Sequence, residues 1–172
     1  MANIDELVVN YAVHEDGTEY LGMAEATLPD LEFMTEEISG AGIAGNVTEI
    51  IIGHMSAMTM SLNFRTVGKS AVRLLEPRIH KIDLRVAQQQ MNNQTSETNI
   101  GSVKHIMKVK PKKMALGKLA AASTADVSGE YAVSYYAMYI EGEKVAEIDP
   151  LNFICIINGN DYLEAVRRAL GR

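Results

Sequence analysis

Tryptophan is absent, cysteine occurs once, proline four times, and aromatic residues make up only 6% of the 172 residues. The single thiol, Cys155, has no partner for a disulfide, and no Cys/His spacing matches a zinc ribbon, so crosslinked and zinc-stapled scaffolds are excluded. No apolar run approaches the roughly 18 residues that a membrane-spanning helix needs. The opening Met1-Ala2-Asn3-Ile4-Asp5-Glu6 lacks the basic stretch of a secretory signal. These absences predict a soluble protein made inside the cell, in a reducing compartment, with no membrane contact as a free subunit.

Basic residues are also missing from one region. Residues 1–50 contain no Lys or Arg and carry a charge of −11, residues 51–128 carry +8 and residues 129–172 carry −3, within a net charge of −6. An acidic head and a basic middle can pair within one chain. Presented on different faces, they attract a second copy head to tail.

The 47% hydrophobic and 22% charged residues are those of an ordinary globular chain, and the length suits one domain over residues 1–172. The dominant period is two. Met58, Met60, Leu62 and Phe64 alternate with Thr59, Ser61, Asn63 and Arg65, which predicts a strand with one buried face. Ile82, Leu84 and Val86 alternate with Lys81, Asp83 and Arg85, and Val103, Met107 and Val109 with Lys104, Lys108 and Lys110. Leu7–Val13 and Thr18–Leu28 flank Asp16-Gly17, and Tyr131–Ile140 and Val145–Asp149 flank Glu141-Gly142-Glu143; both read as hairpins. Two short helices are expected, Lys69–Glu76 before Pro77 and a C-terminal one in which Asp161 and Glu164 form a capping box. Ser39–Val47, rich in Gly and Ala, and Met91–Ser102, polar, read as long loops of the kind that order against a partner.

No catalytic constellation is present. Gly40-Ala41-Gly42-Ile43-Ala44-Gly45 matches the dinucleotide-binding string, but acidic residues precede it and β-branched residues follow where a helix should begin. His14, His54, His80 and His105 are dispersed and read as surface or satisfied core residues. Cys155 lies in an apolar stretch that keeps a thiol protonated, and Glu36-Glu37 would point to opposite faces of a strand. The expectation is a protein that is not an enzyme, with no cofactor and no metal. Lys104, Lys108, Lys110, Lys112, Lys113 and Lys118 suggest either a polyanion groove or a complement to the acidic head of another copy. No aromatic residue falls between Phe64 and Tyr131 to stack a base, which favours self-assembly.

Leu28-Pro29, then Glu36–Asn46 with its Ser39-Gly40-Ala41-Gly42-Ile43-Ala44-Gly45 core, resembles major tail tube proteins of contractile-tailed bacteriophages. The segment Tyr136–Asn152, with Glu147-Ile148-Asp149, followed by Asn158-Gly159-Asn160-Asp161-Tyr162-Leu163 and Arg167-Arg168, is similar to that family's C-terminal hairpin and closing helix. The resemblance implies a mainly β fold of two packed antiparallel sheets, sandwich-like or barrel-like, with one flanking helix and a C-terminal helix. It also implies six-subunit rings stacked into the inner tube of a contractile tail, a conduit for DNA delivery or envelope puncture in a phage or a headless bacteriocin. The ring-forming tube of a type VI secretion apparatus is the alternative. Implied partners are other copies, the tail sheath protein, baseplate or tail-tip and tail-terminator proteins, and a tape measure protein in the lumen, with DNA only in transit. The implied location is the virion tail after assembly in the host cytoplasm.

For such a tube, the charge split predicts assembly through strand pairing between subunits, with Thr18–Glu37 of one copy beside His80–Lys110 of the next. Lys104, Lys108 and Lys110 are then the intra-ring contact. Gly40, Ala41, Gly42, Ile43 and Gly45, with Asn92, Asn93 and Gln94, are expected to link rings, and Glu25, Glu32, Glu36 and Glu37 to face the lumen.

Overall fold

The computed structural model describes residues 3–17, 19–22 and 24–172. Among these residues, twelve strands run in chain order: β1 (Asn3–Glu15), β2 (Glu19–Tyr20), β3 (Ala24–Thr27), β4 (Phe33–Ile38), β5 (Val47–Met55), β6 (Met58–Phe64), β7 (His80–Asn92), β8 (Thr98–Ala115), β9 (Val127–Ile140), β10 (Glu143–Asp149), β11 (Ile154–Ile157) and β12 (Asn160–Asp161). Helix α1 is Lys69–Arg73 and α2 is Glu164–Ala169. Every pairing among these strands is antiparallel. Ten strands form one sheet, and β4 with β5 forms a separate two-stranded hairpin. The fold is mainly β, as expected.

The large sheet divides at β9. One edge of β9 pairs with β8, while the other pairs with β6 through residues 127–133 and with β10 through residues 136–140. Along the path β3-β6-β9-β8-β7-β1-β2, the two end strands are consecutive in the chain, so the sheet curls around one core. Met58, Met60, Leu62 and Phe64 of β6 face Ile82, Leu84, Met107, Val109, Val127, Tyr131 and Tyr136, and Ala71 and Leu74 from the α1 region join them. Apart from Val86 and Val103, which are not part of this core, the period-two residues of the sequence pack here, because these strands have one covered face at this point.

Five expectations require correction. Strand pairing of His80–Lys110 with another copy has no free edge over most of that length, because β7 pairs with β1 and β8, and β8 with β7 and β9. Thr18–Leu28 is not one strand: β2 pairs with β1 for two residues, and β3 leaves to pair with β6. Leu21 is buried between them and donates its N–H to Val13 O at 2.9 Å, which bends the chain from one neighbour to the next. Thr18 and Met23, at which that strand would begin and continue, lie outside the described residues. Met91–Ser102 is mostly strand, since β7 runs to Asn92, β8 starts at Thr98, and the Asn92 Oδ1 accepts the Gln94 N–H at 2.9 Å to close a short turn. The helix expected at Lys69–Glu76 ends at Arg73. Asp161 does not complete a capping box with Glu164: it sits in β12, accepts the Leu163 N–H at 3.0 Å and pairs with Arg167 at 2.5 Å. That pair holds the Asp161 carboxyl below its usual value.

Other local expectations are met. Asp16-Gly17 and Glu141-Gly142 take φ of 53° and 77°, and 50° and 81°, the left-handed conformations of tight hairpins. His80 and His105 are buried and partnered, by Glu15 at 2.5 Å and by the Tyr136 hydroxyl at 2.9 Å. Burial pushes His105 down and pushes the Cys155 thiol up, Asp161 adding to the latter.

Candidate assembly surfaces

Three surfaces carry the features that the sequence singles out. The first is the β4–β5 hairpin. Its side chains are exposed almost throughout, yet Met34, Ile38, Val47, Ile50, Ile51 and Ile52 are aliphatic, with Ile52 59% exposed. Isolated two-stranded hairpins are marginal in water, and contiguous apolar surface marks an interaction site. Gly40–Gly45 form the exposed tip that joins the two strands. Gly42 has φ +94° with nothing within 4 Å of an added Cβ, so the backbone conformation, not crowding, calls for glycine there. At the root, Ser56 N–H donates to Glu32 O at 2.7 Å, and Gly53, at φ +71°, lies against Leu163, whose Cγ would be 2.4 Å from an added Cβ. The string that resembles a dinucleotide loop is therefore a hairpin tip followed by a strand.

The second surface is a three-stranded projection. Beyond the core, residues 3–9 of β1, 86–92 of β7 and 98–102 of β8 continue as paired strands. Ile4, Leu7, Val8, Val9 and Ile100 are exposed, Ile100 to 62%. Gln89 and Gln90 donate to Glu6 at 2.6 Å and Asp5 at 2.9 Å, tying β7 to β1. Asn93 and Gln94 lie exposed in the turn at its end, with Asn92 half-buried beside them.

The third surface is the cationic face of β7 and β8. The register places Lys81 opposite Lys108 and Arg85 opposite Lys104. Asp83, 3% exposed, lies between these rows and neutralises one of them, with Oδ2 at 3.2 Å from Arg85 and 3.5 Å from Lys104. Lys112 is paired with Glu130 at 2.8 Å, which lowers that carboxyl. Farther across, Glu147 accepts from Lys144 at 2.9 Å and from the Tyr135 hydroxyl at 2.7 Å; burial would raise its carboxyl, and the two hydrogen bonds outweigh it. A groove of about 750 Å³ beside this face is lined by Tyr11, Arg85, Lys104 and Tyr139. Its two cations are those that Asp83 already holds. Among the described residues there is no group of three metal-ligating side chains.

The four acidic candidates cannot all lie on one face. Glu25 is on β3 in the large sheet, Glu32 precedes β4, and Glu36 and Glu37 are successive residues of β4, on opposite faces. Lys81 and Glu49 are the residues that sequence reasoning misses. Their alternation is visible in the chain, but not that Glu49 stands opposite Glu36 and Lys81 opposite Lys108.

The described residues form a curled antiparallel sheet whose projecting strands and separate hairpin expose apolar side chains. The chain belongs to the phage tail tube protein FII family, whose profile matches residues 5–171. The tail tube protein of Escherichia phage P2 is 26% identical over 159 residues, covering 91% of both chains. Among solved structures, the sheath/tube terminator of an extracellular contractile injection system, PVC, in its extended state superposes with a TM-score of 0.54 at 12% identity. That match covers 79% of this chain and 97% of the other, and shows a shared fold. The family places the chain among the structural proteins of phage tail tubes.

Proposed function

We propose that six copies of the chain close into a ring and that the rings stack into the inner tube of a contractile tail. One observation carries this: the β4–β5 hairpin displays Ile38, Val47, Ile50 and Ile52 to solvent, whereas strands such as β6 bury one face. Covering a side chain of that size stabilises by about 1.5–3 kcal/mol when burial is complete, and neighbouring copies are the partner that the family role supplies. The projection of β1, β7 and β8 offers the same opportunity around the ring, where closure removes unpaired strand edges.

In this assembly the hairpin tip, Gly40–Gly45, and the turn at Asn92–Gln94 meet the adjacent ring. Lys104, Lys108 and Lys110 lie between subunits of one ring, and Glu25, Glu32 and Glu37 face the bore, where carboxylates let a polyanion slide without binding. Glu36 faces the other way from Glu37. The tube would be enclosed by a sheath protein, capped by a terminator, seated on a baseplate and filled by a tape measure protein, with DNA only in transit. It catalyses no reaction. Electron microscopy of the purified protein tests the proposal: tubes or six-membered rings are expected, and uniformly dispersed monomers at all concentrations overturn it.

A further inference from the structure

We infer that the Lys81–Lys108 pair of one copy is the docking site for the Glu36–Glu49 pair of another. The inference rests on the self-assembly reading and specifies which faces meet.

Lys81 and Lys108 are directly opposed across β7 and β8. Like charges in that position repel and weaken the pairing of their strands. Other cations of β7 and β8 have carboxylates: Arg85 and Lys104 share Asp83, and Lys112 has Glu130. Lys81, Lys108 and Lys110, which follows on the same face of β8, have no ion-pair partner among the described residues. Lys108 Nζ instead lies 5.1 Å from the centre of the Tyr135 ring.

The hairpin carries the mirror image of this arrangement. Glu36 and Glu49 are directly opposed across β4 and β5. Both are exposed, and neither has an ion-pair partner among the described residues. Two positions toward the tip, Ile38 and Val47 form the next cross-strand pair on the same face. Each surface is thus a like-charged pair, the glutamates beside Ile38 and Val47, the lysines beside Tyr135 and the Asp83–Ile106 pair, whose carboxylate is engaged by Arg85 and Lys104.

Geometry decides the mode of contact. Hairpin on hairpin gathers four carboxylates, and lysine face on lysine face gathers four ammonium groups. Only hairpin on sheet neutralises both, and that contact is heterologous, so it closes into a ring or propagates from copy to copy. Docking also brings the aliphatic neighbours over the charges, and removal of water strengthens their attraction.

The test uses two full-length variants, Lys81→Glu with Lys108→Glu, and Glu36→Lys with Glu49→Lys. In the first, hairpin and sheet face are both acidic; in the second, both are basic. Each alone is expected to lose assembly on the order of tenfold or more by sedimentation and electron microscopy, and an equimolar mixture to assemble. The single variant Lys81→Glu supplies a second readout, because it sets an opposite charge across from Lys108: its Tm should rise by about 1–3 °C while its assembly falls. Neutral Gln variants at the same positions replace any variant that fails to fold. Variants that assemble like the parent, or a mixture of folded variants that stays dispersed, overturn the inference. Loss of binding to heparin by Lys81→Glu with Lys108→Glu, with assembly intact, also overturns it and assigns the face to a polyanion. A parent protein that never assembles overturns the ring-and-tube reading itself.

Discussion

His80 Nδ1 lies 2.5 Å from Glu15 Oε1, with both side chains buried and 65 residues apart in the chain. The other His80 nitrogen lies 2.9 Å from Glu76 O, so each ring nitrogen meets an oxygen. Arg73 Nε at 2.6 Å and Arg78 Nη2 at 3.0 Å complete the cluster around Glu15. One carboxylate therefore ties α1 and the chain after it to the end of β1.

This cluster gives the first prediction. Burial acts to raise the Glu15 carboxyl, but hydrogen bonds from His80 and Arg73 prevail and hold it below its ordinary value of 4.5. A depressed carboxyl contributes stability that is complete above the unfolded value and is lost as pH falls through the folded one. Glu15→Gln should cost about 3–5 kcal/mol at neutral pH. Thermal unfolding of parent and variant from pH 7 to 3 checks it, and the gap in Tm should narrow below about pH 4.5.

Lys104 and Lys110 lie on the same strand, β8, but have different surroundings. Lys104→Glu sets a second carboxylate against Asp83, which is 3% exposed, and should destabilise the subunit by about 1–3 kcal/mol. Lys110→Glu touches no described ion pair and should change stability by under about 0.5 kcal/mol. Urea unfolding separates the two, and both variants should impair tube formation in the microscope.

Gly53→Val tests how the hairpin is held. The new side chain would meet Leu163 within 2.4 Å of its Cβ, at a φ of +71° that valine rarely adopts. A cost of about 2–4 kcal/mol is expected, from strain and displaced packing together. Hydrogen exchange should accelerate over residues 33–55 first, because the root of the hairpin loosens before the large sheet.

Gly42→Trp probes the tip. No atom lies within 4 Å of the added Cβ, and the strain of a non-glycine residue at φ +94° falls on an exposed tip outside the large sheet, so the main thermal transition should shift little. Lengthening of tubes is expected to fail. A variant that polymerises normally contradicts the inter-ring role, and one that simply unfolds returns the glycine to local turn geometry.

Where a strand buries one face, its residues announce it: Met58, Met60, Leu62 and Phe64 are legible as a core row from their alternation with polar residues. The turns at Asp16-Gly17 and Glu141-Gly142 are legible for a similarly local reason, since few residues accept a positive φ. Gln88-Gln89-Gln90, Asn92 and Asn99 do not alternate, and nothing in their order marks them as strand. They belong to the projection, where neither face of the sheet is fully covered and there is no burial for a pattern to record.

The β character, the tight turns, the inert cysteine and the separation of acidic from basic segments are all written in the chain, because each is a property of a residue and its near neighbours. Which like charges stand opposite one another, Lys81 with Lys108 and Glu36 with Glu49, and which buried acid meets His80, depend on strands brought together from distant parts of the chain. Register across an antiparallel pair is set by bulges and turn closures, here the turn between Asn92 and Thr98 for β7 and β8 and the Gly40–Gly45 tip for β4 and β5, and a shift of one residue would turn each of these side chains to the other face.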